Sequence, residues 1–147
     1  MPHLTKAELA SLLPHAGDMC LIDRVEEWDR SSIRCHTRSH HDPTNPLRHE
    51  ARLDVVAGLE YAAQAMGVHV GLCHQTPSDD GIVGYVGSLR DVVFGMSRLD
   101  ECISELTIDA TCLFEDEQSF MYQFSVSSRD RSIMTGRASI FLKRVRA

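Results

Sequence analysis

Apolar and β-branched residues are concentrated in six segments of the chain, separated by polar stretches. The pattern predicts strands at Met19–Trp28, Ser31–Arg38, Ile82–Phe94, Ile103–Phe114, Ser119–Ser127 and Ser132–Leu142. The short polar sequences at residues 29–30, 115–117 and 128–131 have the length and composition of turns that join hairpins. Strands joined in this way run antiparallel, so we expect an antiparallel sheet of about six strands.

A long helix is predicted between the second and third strands. Asp54 is a favourable N-cap, and the segment from Val55 to about His74 lacks proline and is rich in alanine. Because this segment is apolar on almost every side, we expect it to be buried rather than laid on a surface. A shorter helix is predicted at the N-terminus, where Thr5-Lys6-Ala7-Glu8 has capping-box spacing, and it should end near Pro14.

The length and the order of elements together predict the fold class. A chain of 147 residues has the size of one domain that buries a core without metal or disulfide staples. One apolar helix needs the sheet to curl around it if it is to be covered. We therefore predict a single α+β domain over residues 1–147, with a central helix wrapped by a curved antiparallel sheet.

Composition and charge exclude several function classes. No apolar run approaches the ~20 residues that span a bilayer, and the N-terminal segment lacks the pattern of a secretory signal. Five widely spaced cysteines, with no C-x-x-C pair, indicate free thiols in the reducing cytoplasm. The net charge of −6 argues against a nucleic-acid binder. Residues 129–147 nevertheless carry +5, which indicates either a solvated strand edge or a docking patch for an anionic partner.

Glu60 is the first candidate for chemistry, because it lies near the start of the helix that is expected to be buried. Carboxylates are rarely buried unless they are paired or functional, and desolvation would favour a protonated form suited to a general acid. A glutamate paired with Arg48 or Arg90 is the structural alternative. Gln64 follows one turn later on the same face, and Gly67 and Gly71 continue that face. This stripe suits either the wall of a channel for a slender apolar ligand or close packing against another helix or a second copy of the chain.

The polar stretch Ser39–Arg52 is predicted as a loop, and it delivers the chain to the helix that carries Glu60. Among its three histidines, His49 is the favoured base, with His40 and His41 as weaker candidates. No pair of histidines has metal-ligand spacing with a carboxylate, so we predict no metal site. Backbone N–H groups around Gly58, at the helix start, are expected to be free to stabilise a carbonyl oxygen that gains negative charge. These residue types together suit thioester chemistry.

Two contiguous segments of the chain form recognisable motifs: Leu12-Leu13-Pro14-His15 followed by residues 19–25, and Glu60-Tyr61-Ala62-Ala63-Gln64-Ala65. They resemble the opening segment and the central-helix segment of a known family, the hot-dog 3-hydroxyacyl-(acyl carrier protein) dehydratases. Residues 84–92 and 135–140 are similar to a subgroup of predicted dehydratases associated with polyene-type lipid pathways. The matches occur in the expected order over most of the chain.

The resemblance implies a hot-dog fold and a homodimer, with a higher oligomer or pairing with a second dehydratase as alternatives. It also implies a histidine of one subunit and a helix carboxylate of the other beside a tunnel for an acyl chain on an acyl carrier protein. Glu60 matches the family's acid, Gln64 and Gly58 would contact the substrate, and His49 would be the base. The family's histidine lies in a Gly-His-Phe-Pro turn, which residues 45–50 replace here.

The implied reaction is dehydration of a 3-hydroxyacyl thioester to the trans-2-enoyl thioester, in fatty acid or polyene lipid biosynthesis. No cofactor is expected beyond the carrier's own phosphopantetheine arm. Two alternatives stay open. In a hot-dog thioesterase, Glu60 would activate water; in a non-catalytic acyl or carrier-protein binding subunit, the chain would work by pairing with an active partner.

Overall fold

The computed structural model describes residues 4–10, 20–74, 82–129 and 131–144. These residues form two α-helices and six strands. The helices are α1 (Lys6–Ala10) and α2 (Gly58–His74), and the strands are β1 (Arg24–Trp28), β2 (Ser32–Thr37), β3 (Ile82–Phe94), β4 (Leu106–Glu115), β5 (Ser119–Ser128) and β6 (Arg131–Arg144). Short 3-10 turns cover Ser39–His41, Val55–Ala57 and Leu99–Glu101. The predicted α+β class and the six strands are confirmed.

The six strands form one antiparallel sheet in the order β1-β2-β4-β5-β6-β3. β3 follows the long helix in the sequence but pairs with β6, so it lies at one edge of the sheet while β1 lies at the other. β3 and β6 pair from Ile82 to Phe94, with irregularities after Val86 and Arg90. This placement leaves the outer edge of the 13-residue strand β3 without a pairing strand among the described residues.

Helix α2 packs across the sheet, against β2, β4, β5 and β3. The side chains of Tyr61, Ala62, Ala65, Met66 and Val68 are buried on α2. They join buried residues of the strands in one core, among them Ile33, Cys35, Ile108, Phe124, Val126, Met134 and Ile140. This arrangement confirms the predicted central helix wrapped by a sheet. No helix in the described part of the chain is long and apolar enough to cross a membrane.

At the N-terminus, the predicted capping box forms. The Thr5 amide donates to the Glu8 carboxylate over 3.2 Å, and the Glu8 amide bonds to the Thr5 hydroxyl over 3.4 Å. Leu4 pairs with Val25, which attaches this end of the chain to β1. The predicted end of α1 near Pro14 lies outside the described residues.

Two predicted strands begin later than expected, because neighbouring groups take their backbone bonds. In place of a strand from Met19, which lies outside the described residues, β1 begins at Arg24. The Leu21 carbonyl before it accepts from the hydroxyls of Thr37 and Ser39. In place of a strand from Ile103, β4 begins at Leu106. The carbonyls of residues 102 and 104 accept from histidine side chains, so they do not join a ladder.

Candidate active site

The N-terminus of α2 is a closed turn. The Asp54 side chain accepts from the Val56 amide over 3.4 Å, and the Asp54 carbonyl accepts from the Ala57 amide over 3.0 Å. The Gly58 amide bonds back to the carbonyl of Val55. The expectation of free N–H groups here is wrong, because the 3-10 turn before the helix satisfies the amides that an α-helix alone would leave open.

Gly58 has a packing role instead. A Cβ built at this position would lie 2.7 Å from the Met134 Cε atom and 4.0 Å from a Leu99 methyl group. Both of these residues are fully buried, so the glycine lets the start of α2 approach β6 closely. The predicted contact between Gly58 and the substrate depended on free amides, and the structure does not provide them.

Glu60 lies two residues further along α2, and its side chain is exposed. The expectation of burial is wrong for the single chain, because Glu60 is on the side of α2 that turns away from the sheet. The proposed arginine pairs do not form either: no described arginine lies within salt-bridge distance of Glu60. The carboxylate is therefore available to a ligand or to another subunit.

The same side of α2 continues as a shallow open face, which we define as Glu60, Gln64, Gly67 and Gly71. Gln64 and the two glycines are partly exposed. No described atom lies within 4 Å of a Cβ built at Gly67 or Gly71. The predicted stripe of a polar pair followed by side-chain-free positions is therefore present, and no described residue covers its two glycines.

Gln64 already has a structural partner on this face. Its side-chain oxygen accepts a hydrogen bond from the Leu21 amide over 2.9 Å. Leu21 is buried, so this bond fixes the segment before β1 against the helix. The predicted substrate contact by Gln64 stays a prediction.

His49 begins a tight hairpin in the loop before α2. Its amide and carbonyl both pair with Arg52, over 2.8 and 2.9 Å. The two residues between them, Glu50 and Ala51, have φ values of 51° and 64°, as a two-residue turn of this kind requires. The turn holds the His49 backbone in place and leaves its side chain exposed.

Tyr61 ties the loop to the helix beside Glu60. Its hydroxyl lies 2.8 Å from the Ser39 hydroxyl and accepts from the Asn45 side-chain amide over 3.0 Å. Burial raises the pKa of the Tyr61 phenol. Because Tyr61 follows Glu60 directly, this network fixes the loop that carries His49 relative to the helix that carries the carboxylate.

Arg48 stabilises the loop of residues 39–52 by hydrogen bonds to its backbone. Its guanidinium donates to the carbonyls of His40, Asp42 and Ala51, over 2.8, 2.9 and 3.1 Å. Sequence reasoning missed these roles of Tyr61, Asn45 and Arg48. The only signal for them was an asparagine before Pro46, which is typical of a turn.

His40 is a structural histidine. It is fully buried, and its Nε2–H lies 3.1 Å from the carbonyls of both Cys102 and Ser104. Burial, together with the neighbouring His41, lowers the pKa of His40 to about 4. His41 bonds to the same Cys102 carbonyl over 2.5 Å. Both rings bind the loop to the segment before β4, which makes them poor candidates for a base.

His69, near the middle of α2, is also structural. It accepts from the Tyr122 hydroxyl at Nδ1 over 2.6 Å and donates from Nε2 to the Asp29 carbonyl over 2.8 Å. Burial strongly raises the pKa of Tyr122, so the phenol keeps its proton. Among the described residues, no group of three His, Cys, Asp or Glu side chains is arranged to hold a metal.

A single helix wrapped by a six-stranded antiparallel sheet defines the hot-dog class of proteins. A family model described as ApeP-like, ApeP dehydratase, matches residues 7–146. The chain therefore belongs to the ApeP-like dehydratase family. A search of curated proteins gives no match.

Solved structures support the same class. A chain of the dehydratase heterocomplex ApeI:P from Xenorhabdus doucetiae is similar, with a TM-score of 0.81 and 22% identity, over 92% of this chain and 91% of that one. A thioesterase from Haemophilus influenzae has a TM-score of 0.64 and 12% identity, over 96% and 92%. AziG from S. sahachiroi has a TM-score of 0.62 and 12% identity, over 91% and 99%. At these identities the structural likeness shows the fold alone.

Proposed function

We propose that this dehydratase removes water from a 3-hydroxyacyl thioester carried by an acyl carrier protein. The observation that carries the proposal is the position of Glu60, an exposed carboxylate at the start of an otherwise apolar helix. It opens onto a face with two glycines, where a slender acyl chain has room. Family membership supports a dehydration, and the room on this face supports an acyl substrate.

In the proposed reaction, His49 takes the C2 proton of the substrate and Glu60, protonated, gives its proton to the departing C3 hydroxyl. The C2–H and C3–O bonds break, a C2–C3 double bond forms, and water leaves. His49 then holds the extra proton and Glu60 is ionised, so one proton must return to Glu60 before the next turnover. The Gly58 amide does not polarise the thioester carbonyl in this proposal, because that amide is bonded within the chain.

We further propose that the site is completed by a second subunit along β3. Among the described side chains of this edge strand, five large hydrophobic ones are exposed: Tyr85, Val86, Leu89, Val93 and Phe94. A long apolar edge strand is an aggregation hazard unless another chain covers it. A second copy paired antiparallel through β3 would cover it, as the family resemblance implies. The related heterocomplex suggests a different dehydratase subunit as the other occupant.

For the carrier protein, we propose docking at Arg90 and Arg137. These exposed residues lie directly opposite each other on β3 and β6, and neither has a carboxylate partner among the described residues. Like charges in a directly opposed pair destabilise a sheet, so an acidic partner would relieve this repulsion. Arg137 belongs to the basic end of the chain that the sequence singled out.

A non-catalytic subunit is the second candidate function. Two observations favour it: the favoured base, His49, sits in an exposed hairpin without the family's histidine turn, and the similar structure is a complex of two components. In that case, this chain would hold acyl carrier or substrate for a partner that performs the chemistry.

The test is to incubate the purified protein with a 3-hydroxyacyl carrier and to measure the intact carrier by mass spectrometry. Loss of one water, reversible from the enoyl thioester, supports the dehydratase. Release of free carrier would instead support a thioesterase. An unchanged substrate that co-purifies with the protein would support the non-catalytic subunit.

Two variants test the assigned residues. Glu60→Gln and His49→Ala should each lower turnover by at least ~100-fold without changing the oligomeric state. Glu27→Gln, at an exposed glutamate of β1, and Arg52→Ala, in the same turn as His49, are the matched controls and should retain activity. Near-normal turnover of His49→Ala would show that His49 is not the base.

A further inference from the structure

A cleft of about 480 Å³ lies beside the loop that begins after β2, and none of its lining residues is assigned to the reaction. It is formed where β2 ends, where β4 begins and where β5 turns into β6. Its lining is mainly polar and charged: Arg38, Ile103, Ser104, Glu105, Thr107 and Arg129. A volume of this size suits a small organic ligand rather than a single ion.

The acidic residue of the cleft is already neutralised. The Arg24 guanidinium donates two hydrogen bonds to the Glu105 carboxylate, over 2.7 and 3.2 Å. This hydrogen-bonded pairing lowers the pKa of Glu105, so the carboxylate stays ionised and bound to Arg24. Its contact with Arg38, the second arginine near it in the cleft, is longer than either bond to Arg24.

The cations that line the cleft are Arg38 and Arg129. The Arg38 side chain reaches Glu105 only at 4.0 Å and is 64% exposed. Arg129 has no carboxylate partner among the described residues. Two guanidinium groups at one cleft, each without a full partner, are suited to bind an anion through paired N–H donors.

The backbone at Arg129 adds a second observation. Its φ of 54° lies in the left-handed region, which favours glycine or asparagine in a hairpin turn. A two-residue turn between the paired residues Ser128 and Arg131 requires such a conformation, as does the turn at Glu50 and Ala51. The turn therefore places Arg129 among the residues that line the cleft.

The remaining lining suits an organic phosphate. The Ser104 hydroxyl has no partner among the described residues and is a further donor to an anion. Ile103 is 87% exposed at the same cleft, so it offers an apolar surface to a carbon chain attached to that anion. Thr107 is occupied by His36, at 3.2 Å.

We propose that this cleft binds the phosphate of a small phosphorylated organic molecule, with Arg38, Arg129 and Ser104 holding the phosphate and Ile103 contacting the organic part. The proposal does not rest on the proposed reaction, because none of these residues takes part in it. The proposal predicts that the affinity of the ligand falls when its phosphate, its organic part or either of the two arginines is removed.

Isothermal titration calorimetry on the full chain tests the proposal, with 4′-phosphopantetheine as the probe. Pantetheine, which lacks the phosphate, and inorganic phosphate, which lacks the organic part, should each bind at least ~10-fold more weakly. Equal affinity for pantetheine would overturn the assigned phosphate contact. Equal affinity for inorganic phosphate would overturn the assigned contact with Ile103.

Arg129→Gly is the sharpest variant, because glycine accepts a positive φ and the turn should keep its shape. It should weaken binding of 4′-phosphopantetheine by at least ~10-fold, as should Arg38→Ala. Arg34→Ala is the matched control, since it removes one arginine from β2 outside the cleft, and it should bind as the unaltered protein does. Unchanged binding by Arg129→Gly would overturn the proposal. The same titration can be repeated with the Glu60→Gln variant, which is expected to be inactive. Binding that persists there would show that the cleft acts independently of the proposed reaction.

Discussion

The side-chain oxygen of Gln64, on α2, accepts a hydrogen bond from the backbone amide of Leu21, 43 residues earlier in the chain, over 2.9 Å. Leu21 is 1% exposed, so water is not available to replace this bond. The contact attaches the segment before β1 to the open face of α2. A residue that the sequence assigns to substrate contact therefore also has a role in stability.

Gln64→Leu should lower the free energy of unfolding by about 1–3 kcal/mol, because a buried N–H group loses its acceptor. Urea denaturation monitored by circular dichroism measures the change. Gln64→Glu keeps an acceptor oxygen and should recover most of the loss. Gln123→Leu, at an exposed glutamine of β5, is the control and should have little effect. An equal loss in both leucine variants would contradict the assigned role.

Stability should fall as the pH is lowered from about 6.5 towards 4, in part because of His40. The pKa of His40 is lowered from 6.5 to about 4 in the folded state, so the unfolded chain binds a proton first. The groups that face it are His41, Arg38 and the carbonyls of Cys102 and Ser104. Between pH 7 and pH 4.5 the loss from this residue should be about 2 kcal/mol.

His40→Gln isolates this contribution. Glutamine keeps an N–H donor for the two carbonyls but does not titrate, so the variant should lose less stability over the same pH range. Denaturant titrations at pH 7 and pH 4.5 measure the difference, with His49→Ala as a control at an exposed histidine. An identical pH dependence in His40→Gln and the unaltered protein would show that His40 does not make this contribution.

Gly67→Ala tests what covers the open face of α2. Alanine is favoured over glycine in a helix, and no described atom obstructs its Cβ, so the isolated chain should gain about 0.5–1 kcal/mol. If an acyl chain lies on this face during the reaction, turnover of long-chain substrates should fall while stability rises. Thermal unfolding and the carrier assay measure the two effects. A rise in stability with unchanged turnover would place the acyl chain elsewhere.

Leu89→Lys tests the proposed pairing along β3. Leu89 is 43% exposed in the single chain, and burial of an unpaired ammonium group in an interface is costly. Light scattering coupled to size-exclusion chromatography should show a dimer for the unaltered protein and a monomer for the variant. Leu113→Lys, at a leucine of β4 that is 47% exposed, is the matched control and should stay dimeric. Dissociation in both variants, or in neither, would contradict an interface at β3.

The elements that the sequence predicted well are those with strong local signals. The Thr5 and Glu8 capping box forms as spaced, β3 covers the predicted Ile82–Phe94, and the helical segment begins at Val55 after the Asp54 cap. In each case, neighbouring residues in the chain supply the hydrogen bonds or the pattern. The family was also accessible from sequence, because its motifs are contiguous stretches.

The site depended on partners that are distant in the chain. Tyr61 reaches Ser39 and Asn45, and these contacts fix the loop of His49 against the helix. No spacing rule connects such residues, since their contact depends on how the loop folds over α2. The exposure of Glu60 was missed for a related reason, because an apolar helix sequence does not reveal which side the sheet leaves uncovered.

The sequence by itself therefore determined the elements, the α+β class and the family, because capping, periodicity and motifs are local properties. Only the tertiary structure decided which groups are available for chemistry. It paired the amides around Gly58 within a 3-10 turn, buried His40 and His69 as structural hydrogen-bonding groups, and left Glu60 exposed. Burial and hydrogen-bond partners depend on contacts between distant segments, and these contacts exist only once the sheet has closed around the helix.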